Sequence, residues 1–257
     1  MLIDTHAHLD QLSDCPAALK RAYDAGVTGV IAVSEGLLHS QRNLEIARAS
    51  TLSKIYLACG IHPSEAHKED LNAMKEFIRD HRPDITAIGE IGLDFWYRWA
   101  RKDEEIKSRQ RQVFRELLAE ALKYDLPVSI HSRGAWDDCF TIVKELGIRR
   151  AVFHWYSGPL DILDKILAED YLISVTPSLA YSVEAQLAAQ HAPVKQILIE
   201  TDSPVFYRLP ENKDEGFSAE PKDVSKTLEL YCGLKKCDIQ STAEILNNNA
   251  IKFFKLS

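Results

Sequence analysis

No run in the chain approaches the ~18 consecutive apolar residues that a membrane-spanning helix needs, so no membrane span is expected. A basic excess is also missing. The 31 Lys and Arg are outnumbered by 38 Asp and Glu, a formal net charge of −7, which excludes a broad cationic face for coating nucleic acid. An enzyme that engages one strand end needs positive charge only at its site, where metal ions can supply it, so a nucleic-acid substrate stays open. Cysteine is scarce and unpatterned: Cys15, Cys59, Cys139, Cys232 and Cys237 are odd in number and show no C-x-x-C spacing. They read as free thiols of a reducing cytosol rather than a disulfide framework. The first residues enter a strand-like segment with no basic n-region or cleavage site, so a cytoplasmic protein is expected. No low-complexity tract, Gly/Ser linker or charge block divides residues 1–257, and one domain is expected.

What the sequence does contain is a regular alternation. Near-continuous apolar runs predict eight strands at 2–3, 27–33, 55–59, 85–88, 127–130, 151–153, 172–175 and 197–199, each buried on both faces. Helices are predicted between them at 16–25, 64–81, 103–124, 136–146, 160–169, 183–191, 224–231 and 239–254. Pro16 near the start of the first and Gly26 just past its end are ordinary helix punctuation. Repeated βα units predict an α/β fold with a parallel sheet, and 257 residues suit one TIM (β/α)8 barrel of ~250. The long irregular stretch 203–221 follows the eighth strand, where barrel loops usually carry function.

Five of these apolar runs end in a metal-ligand residue type: His6 and His8, Glu90, His131, His154, and Asp202. Each alone has an ordinary explanation. His6-Ala-His8 can be a surface or satisfied core pair, and a carboxylate at a strand end often caps the next helix. Together they place four imidazoles and two carboxylates at the C-terminal face of one barrel, enough for two divalent ions. Imidazole with carboxylate suits Zn, Mn, Fe or Mg. Two such ions sharing a carboxylate can acidify a water and neutralise charge growing on leaving oxygens.

The ordered motifs Asp4-Thr-His6-Ala-His8-Leu-Asp10, Gly60-Ile-His62-Pro63, Ile88-Gly-Glu90-Ile-Gly-Leu-Asp94, His131-Ser-Arg133, His154-Trp-Tyr-Ser-Gly158 and Glu200-Thr-Asp202-Ser-Pro204 resemble the TatD family. That family comprises metal-dependent deoxyribonucleases of the amidohydrolase superfamily, built on a TIM barrel. The resemblance implies that His6, His8 and Asp202 bind one metal and His131 and His154 the other, with Glu90 bridging. Asp202 would also steer or deprotonate the attacking water, with Glu90 the second catalytic carboxylate. It implies phosphate contacts from His62 and Arg133, and an orienting role for Asp94. The cofactors would be two divalent ions, Mg, Mn or Zn.

The chain departs from the family where relatives usually read Arg-Asn-Glu-Pro, showing Ser218-Ala219-Glu220-Pro221 instead. An Arg and an Asn near the substrate are therefore missing. Trp155, Val175-Thr-Pro177 and Phe95 are further departures. The segment from Phe95 to Lys102 interleaves aromatic and basic residues, and Arg98 and Trp99 are the candidates there for stacking a base and tracking a backbone. The function expected is a monomeric two-metal phosphodiester hydrolase acting on DNA, single-stranded or at a 3′ end, as a 3′-5′ exonuclease. The alternatives are a hydrolase of a small ester, lactone or amide, a D-aminoacyl-tRNA deacylase, or an idle metal-binding scaffold.

Overall fold

The computed structural model describes residues 2–208 and 215–256. Eight parallel strands pair strictly in chain order. They are β1 (Leu2–Ala7), β2 (Val27–Ala32), β3 (Lys54–Cys59), β4 (Ile85–Gly92), β5 (Val128–His131), β6 (Ala151–Phe153), β7 (Leu172–Val175) and β8 (Ile197–Ile199). Closure comes just beyond β8. The Asp202 N–H donates to the His6 carbonyl at 2.9 Å, and the His8 N–H donates to the Ser203 carbonyl at 2.8 Å. The expected TIM barrel is what the chain forms.

The helices are α1 (Cys15–Asp24), α2 (Leu37–Ala49), α3 (Leu71–Asp80), α4 (Glu104–Tyr124), α5 (Trp136–Glu145), α6 (Leu160–Ala168) and α7 (Val183–His191). A short antiparallel pair follows β8, formed by β9 (Phe206–Arg208) and β10 (Gly216–Ser218), and α8 (Val224–Lys235) and α9 (Ile239–Phe254) end the described chain. Local chemistry sets several helix starts. Asp14, Asp70, Asp103, Ser182 and Asp238 each accept backbone N–H bonds as N-caps, the role their short polar side chains favour.

Ile3, Ile31, Ala58, Ala87, Val152 and Leu198, from six strands, pack with Phe253 and Phe254 of α9. Arg150, just before β6, donates to the Phe253 carbonyl at 3.1 Å. The two phenylalanines thus close the barrel at the N-terminal ends of its strands, and the polar residues gather at the other end.

Four expectations need correction. Helix α2 falls where no helix is predicted, because its buried face carries Ser40 and Asn43 beside Leu44 and shows no apolar period. Helix α3 starts at Leu71 rather than at Ser64, since Ser64 turns to His62 and Asp70 caps the helix instead. Strand β4 runs past Ile88 to Gly92, which puts Glu90 inside the strand rather than after it. The stretch 203–221 contains the β9–β10 pair, part of it (209–214) lying outside the described residues.

Candidate metal centre

The first donor set is made by the seam that closes the barrel. His6 lies near the end of β1 and His8 just beyond it. Asp202 sits in a left-handed conformation at φ 50° after β8, and the two backbone bonds across the seam hold these residues side by side. His6 Nε2 is 3.3 Å from Glu90 Oε2 and 3.4 Å from Asp202 Oδ1, and His8 Nε2 is 3.4 Å from both of those oxygens. Asp4 strengthens the seam by accepting from the Thr201 N–H at 3.0 Å and its hydroxyl at 2.6 Å. Burial raises the Asp4 carboxyl well above the usual range.

The donor atoms fit a cation. His6 Nε2 is a buried polar atom without a hydrogen-bond partner among the described residues, a cost normally avoided in a protein interior. Four donor–donor separations of 3.3–3.4 Å are those of a tetrahedral ion with bonds of about 2.0–2.1 Å. Burial opposes charge on His8, but hydrogen bonds and fields from Asp202 and Glu90 prevail and raise it to about 10. Burial likewise opposes charge on Glu90 and Asp202, yet the surrounding imidazoles hold both below the ordinary carboxylate range, Glu90 far below it.

The second set converges on the other oxygen of Glu90. His154 Nε2 lies 2.7 Å from Glu90 Oε1 and His131 Nδ1 lies 2.8 Å from it. His154 is stacked on His6 with ring centroids 4.0 Å apart. Each of these imidazoles is held from behind, the usual device for aiming a metal ligand. His131 Nε2 meets Asp94 Oδ2 at 2.9 Å, and His154 Nδ1 faces Glu200 Oε1 at 3.3 Å. Asp94 is itself held by the Trp96 N–H at 2.8 Å and by Arg133 Nε at 2.8 Å. Glu200, whose role the sequence does not disclose, also accepts from the Trp155 N–H at 3.0 Å.

His62 lies deeper than a loop residue would. Its Nε2 is 3.3 Å from His131 Nδ1 and 3.6 Å from Glu90 Oε1. Its Nδ1 accepts the Ser64 backbone N–H at 3.1 Å. Burial, helped by the charges on His131 and His8 and opposed by Glu90, lowers His62 to about 3. A neutral ring with Nδ1 accepting carries its proton on Nε2. His62 therefore presents a donor N–H to the centre, although its atoms also fall within a 4.8 Å grouping with Glu90 and His131.

The centre opens into a cleft of about 1010 Å³, walled by Trp96, Tyr97, Trp136, Trp155 and Tyr181, with Arg133 at one side. Arg98 and Trp99 are not among its lining residues. Trp99 instead stacks on Tyr97 at 5.0 Å, and the Arg133 guanidinium lies 4.8 Å from the Tyr97 ring centre. The aromatic–basic segment thus reaches the cleft through Trp96 and Tyr97. Glu35, after β2, also lines the cleft and was not singled out by any motif; burial raises its carboxyl above the usual range. At the Ser218-Ala219 departure, Ala219 is buried and donates its N–H to Val205, while Glu220 pairs with Arg21 at 2.6 Å. That corner joins the β9–β10 pair to α1.

A family model described as TatD related DNase matches residues 3–255. The chain belongs to the TatD family. Human deoxyribonuclease TATDN3 is 30% identical over 98% of this chain and 94% of its own length. A relative from Bacillus subtilis, the uncharacterized metal-dependent hydrolase YabD, is 30% identical over 100% of both chains. The crystal structure of YjjV, a TatD homolog from Escherichia coli K12, matches with a TM-score of 0.89 at 28% identity, covering 100% of this chain and 98% of that one. Among the described residues of this TatD-family chain, no helix is long and apolar enough to cross a membrane.

Proposed function

We propose that this TatD-family chain is a metal-dependent hydrolase of phosphodiesters that removes nucleotides from a 3′ end of DNA. The observation that carries this reading is the division of Glu90, with Oε2 facing His6 and His8 and Oε1 facing His131 and His154. His6, His8 and Asp202 would hold one divalent ion and His131 and His154 a second, bridged by Glu90. Such ions supply an acidified water and neutralise charge on the phosphoryl oxygens. Asp202 Oδ1 faces both imidazoles of the first set, which supports the reading that its carboxylate would orient the attacking water and take its proton. The His62 Nε2–H and the Arg133 guanidinium would bind the non-bridging oxygens of the phosphate, a reading supported by the hold of Asp94 and Tyr97 on Arg133. Asp94 and Glu200 keep His131 and His154 pointed at the centre.

The test is hydrolysis of a single-stranded DNA oligomer, labelled at either end, by protein stripped with EDTA and then reloaded with Mn, Mg or Zn. Turnover that appears only after reloading and shortens the strand from its 3′ end is expected. Chelator-indifferent turnover would refute the metal assignment, and cleavage at internal positions would refute the exonuclease assignment.

A further inference from the structure

We propose that the cleft takes a short phosphodiester, one phosphate with one nucleobase beside it, rather than a strand gripped along its backbone. This rests on the phosphodiesterase reading above. Its first support is charge. Among the described residues lining the cleft, Arg133 is the one Arg or Lys, while Glu35 and Glu184 are acidic residues outside the proposed ligand set. Arg133 is already paired with Asp94 at 2.8 Å. A protein that tracks a single strand lays a row of cations along it, one for each phosphate neutralised. Here the centre can neutralise one phosphate, and the next would meet carboxylates. Glu35 sharpens this. It stands on the His8 side of the cleft with no ion pair among the described residues, so a second phosphate arriving there would be repelled. At the Ser218-Ala219 corner Arg21 is engaged by Glu220, and neither Arg21 nor Arg208 of β9 is among the residues that line the cleft.

The second support is the shape of the aromatic wall. The Trp96 indole is 61% exposed and meets Trp136 edge-to-face, with ring centroids 6.0 Å apart. Both rings lie directly on bare backbone. A Cβ on Gly134, at φ +71°, would come within 2.2 Å of Trp96 Cδ1, and one on Gly158 within 2.7 Å of Trp136 Cγ. Two glycines thus seat two indoles at the rim beside Arg133, and Trp96 keeps an open face for one base. Stacking of this kind tolerates any base and needs no further charge.

The experiment compares kcat/KM of metal-loaded protein on a deoxydinucleotide, a 20-nucleotide single strand and methyl nitrophenyl phosphate, which has no base, at several salt concentrations. The dinucleotide should be cleaved at least as efficiently as the 20-mer. Both should show a log–log salt slope near −0.7, the single-strand value for one phosphate. Trp96→Ala should lower the dinucleotide's advantage over the base-free diester about tenfold, and Glu35→Gln should raise the 20-mer relative to the dinucleotide. A 20-mer favoured more than tenfold, with a slope several times steeper, would overturn the inference while leaving the phosphodiesterase reading intact. A dinucleotide advantage unmoved by Trp96→Ala would remove the base-stacking part. Failure to cleave any of the three would overturn the phosphodiesterase reading, and this inference with it.

Discussion

In the proposed two-ion centre, Asp94→Asn separates the support of one ion from that of the other. The carboxylate has two separate tasks. Its Oδ1 accepts the backbone N–H groups of Trp96 at 2.8 Å and Tyr97 at 3.2 Å, and an asparagine oxygen can keep both bonds. Its Oδ2 receives His131 Nε2 at 2.9 Å and Arg133 Nε at 2.8 Å, and an amide NH₂ there can accept from neither. The loop should therefore hold its shape while His131 loses its negative partner. Loss of such a partner behind a ligating histidine typically weakens metal affinity ~10–100-fold, or about 1.4–2.7 kcal/mol. The loss should fall on the ion held by His131 and His154, since His6, His8 and Asp202 do not touch Asp94. Competition against a chromogenic chelator, with circular dichroism on the same samples, reads both quantities. Two ions bound as tightly as in the wild type would refute the orienting role, and an equal loss at both sites would refute the assignment of ligands to two sets.

Asp202→Asn keeps one oxygen for the first donor set but removes the proton acceptor. It should retain most of its metal and lose ~10²–10⁴ in kcat, and near-wild-type turnover at full metal content would move the base to Glu90. His8, raised from 6.5 to about 10 by its carboxylate partners, carries a proton in the metal-free protein at neutral pH. The stability from that charged contact is complete below about pH 6.5 and is lost as the pH rises through about 10. Because an ion must displace this proton, metal affinity should climb with pH across that window with measurable proton release, and a flat profile in calorimetry across several buffers would count against it. Phe253→Ala opens the floor of the barrel and should cost about 3–5 kcal/mol in a urea titration without changing metal stoichiometry. Loss of less than 1 kcal/mol would mean that α9 is not the floor.

The clustering of His6, His8, Glu90, His131, His154 and Asp202 was legible because a polar side chain at the end of an apolar run is conspicuous, and because one barrel brings all its strand ends together. The TIM barrel was legible for the same reason, through eight runs in sequence. What escaped was held by polar contacts. Helix α2 buries Asn43, which donates to the Val33 carbonyl at 2.9 Å and accepts the Asp10 N–H at 3.1 Å, so it lacks the apolar stripe that announces a helix. Gly89 and Gly92 disguised the end of β4, although Ile91 and Gly92 pair with Ile130 and His131. Glu200 reads as part of a motif, but its work on His154 and Trp155 depends on a three-dimensional neighbourhood that spacing does not reveal. Trp99 showed the converse: the pattern of aromatics with basic residues singled it out together with Arg98, yet it stacks on Tyr97, and Trp96 and Tyr97 are the residues of that segment that line the cleft.

The bridging of two ions by Glu90 is tested most directly by the electron paramagnetic resonance spectrum of protein loaded with Mn(II), with metal content measured on the same sample. The expected result is two ions per chain with the spectrum of an exchange-coupled pair, and loss of that coupling in Glu90→Gln. One ion per chain, or two that give only the signal of isolated Mn(II) in the wild type, would contradict it.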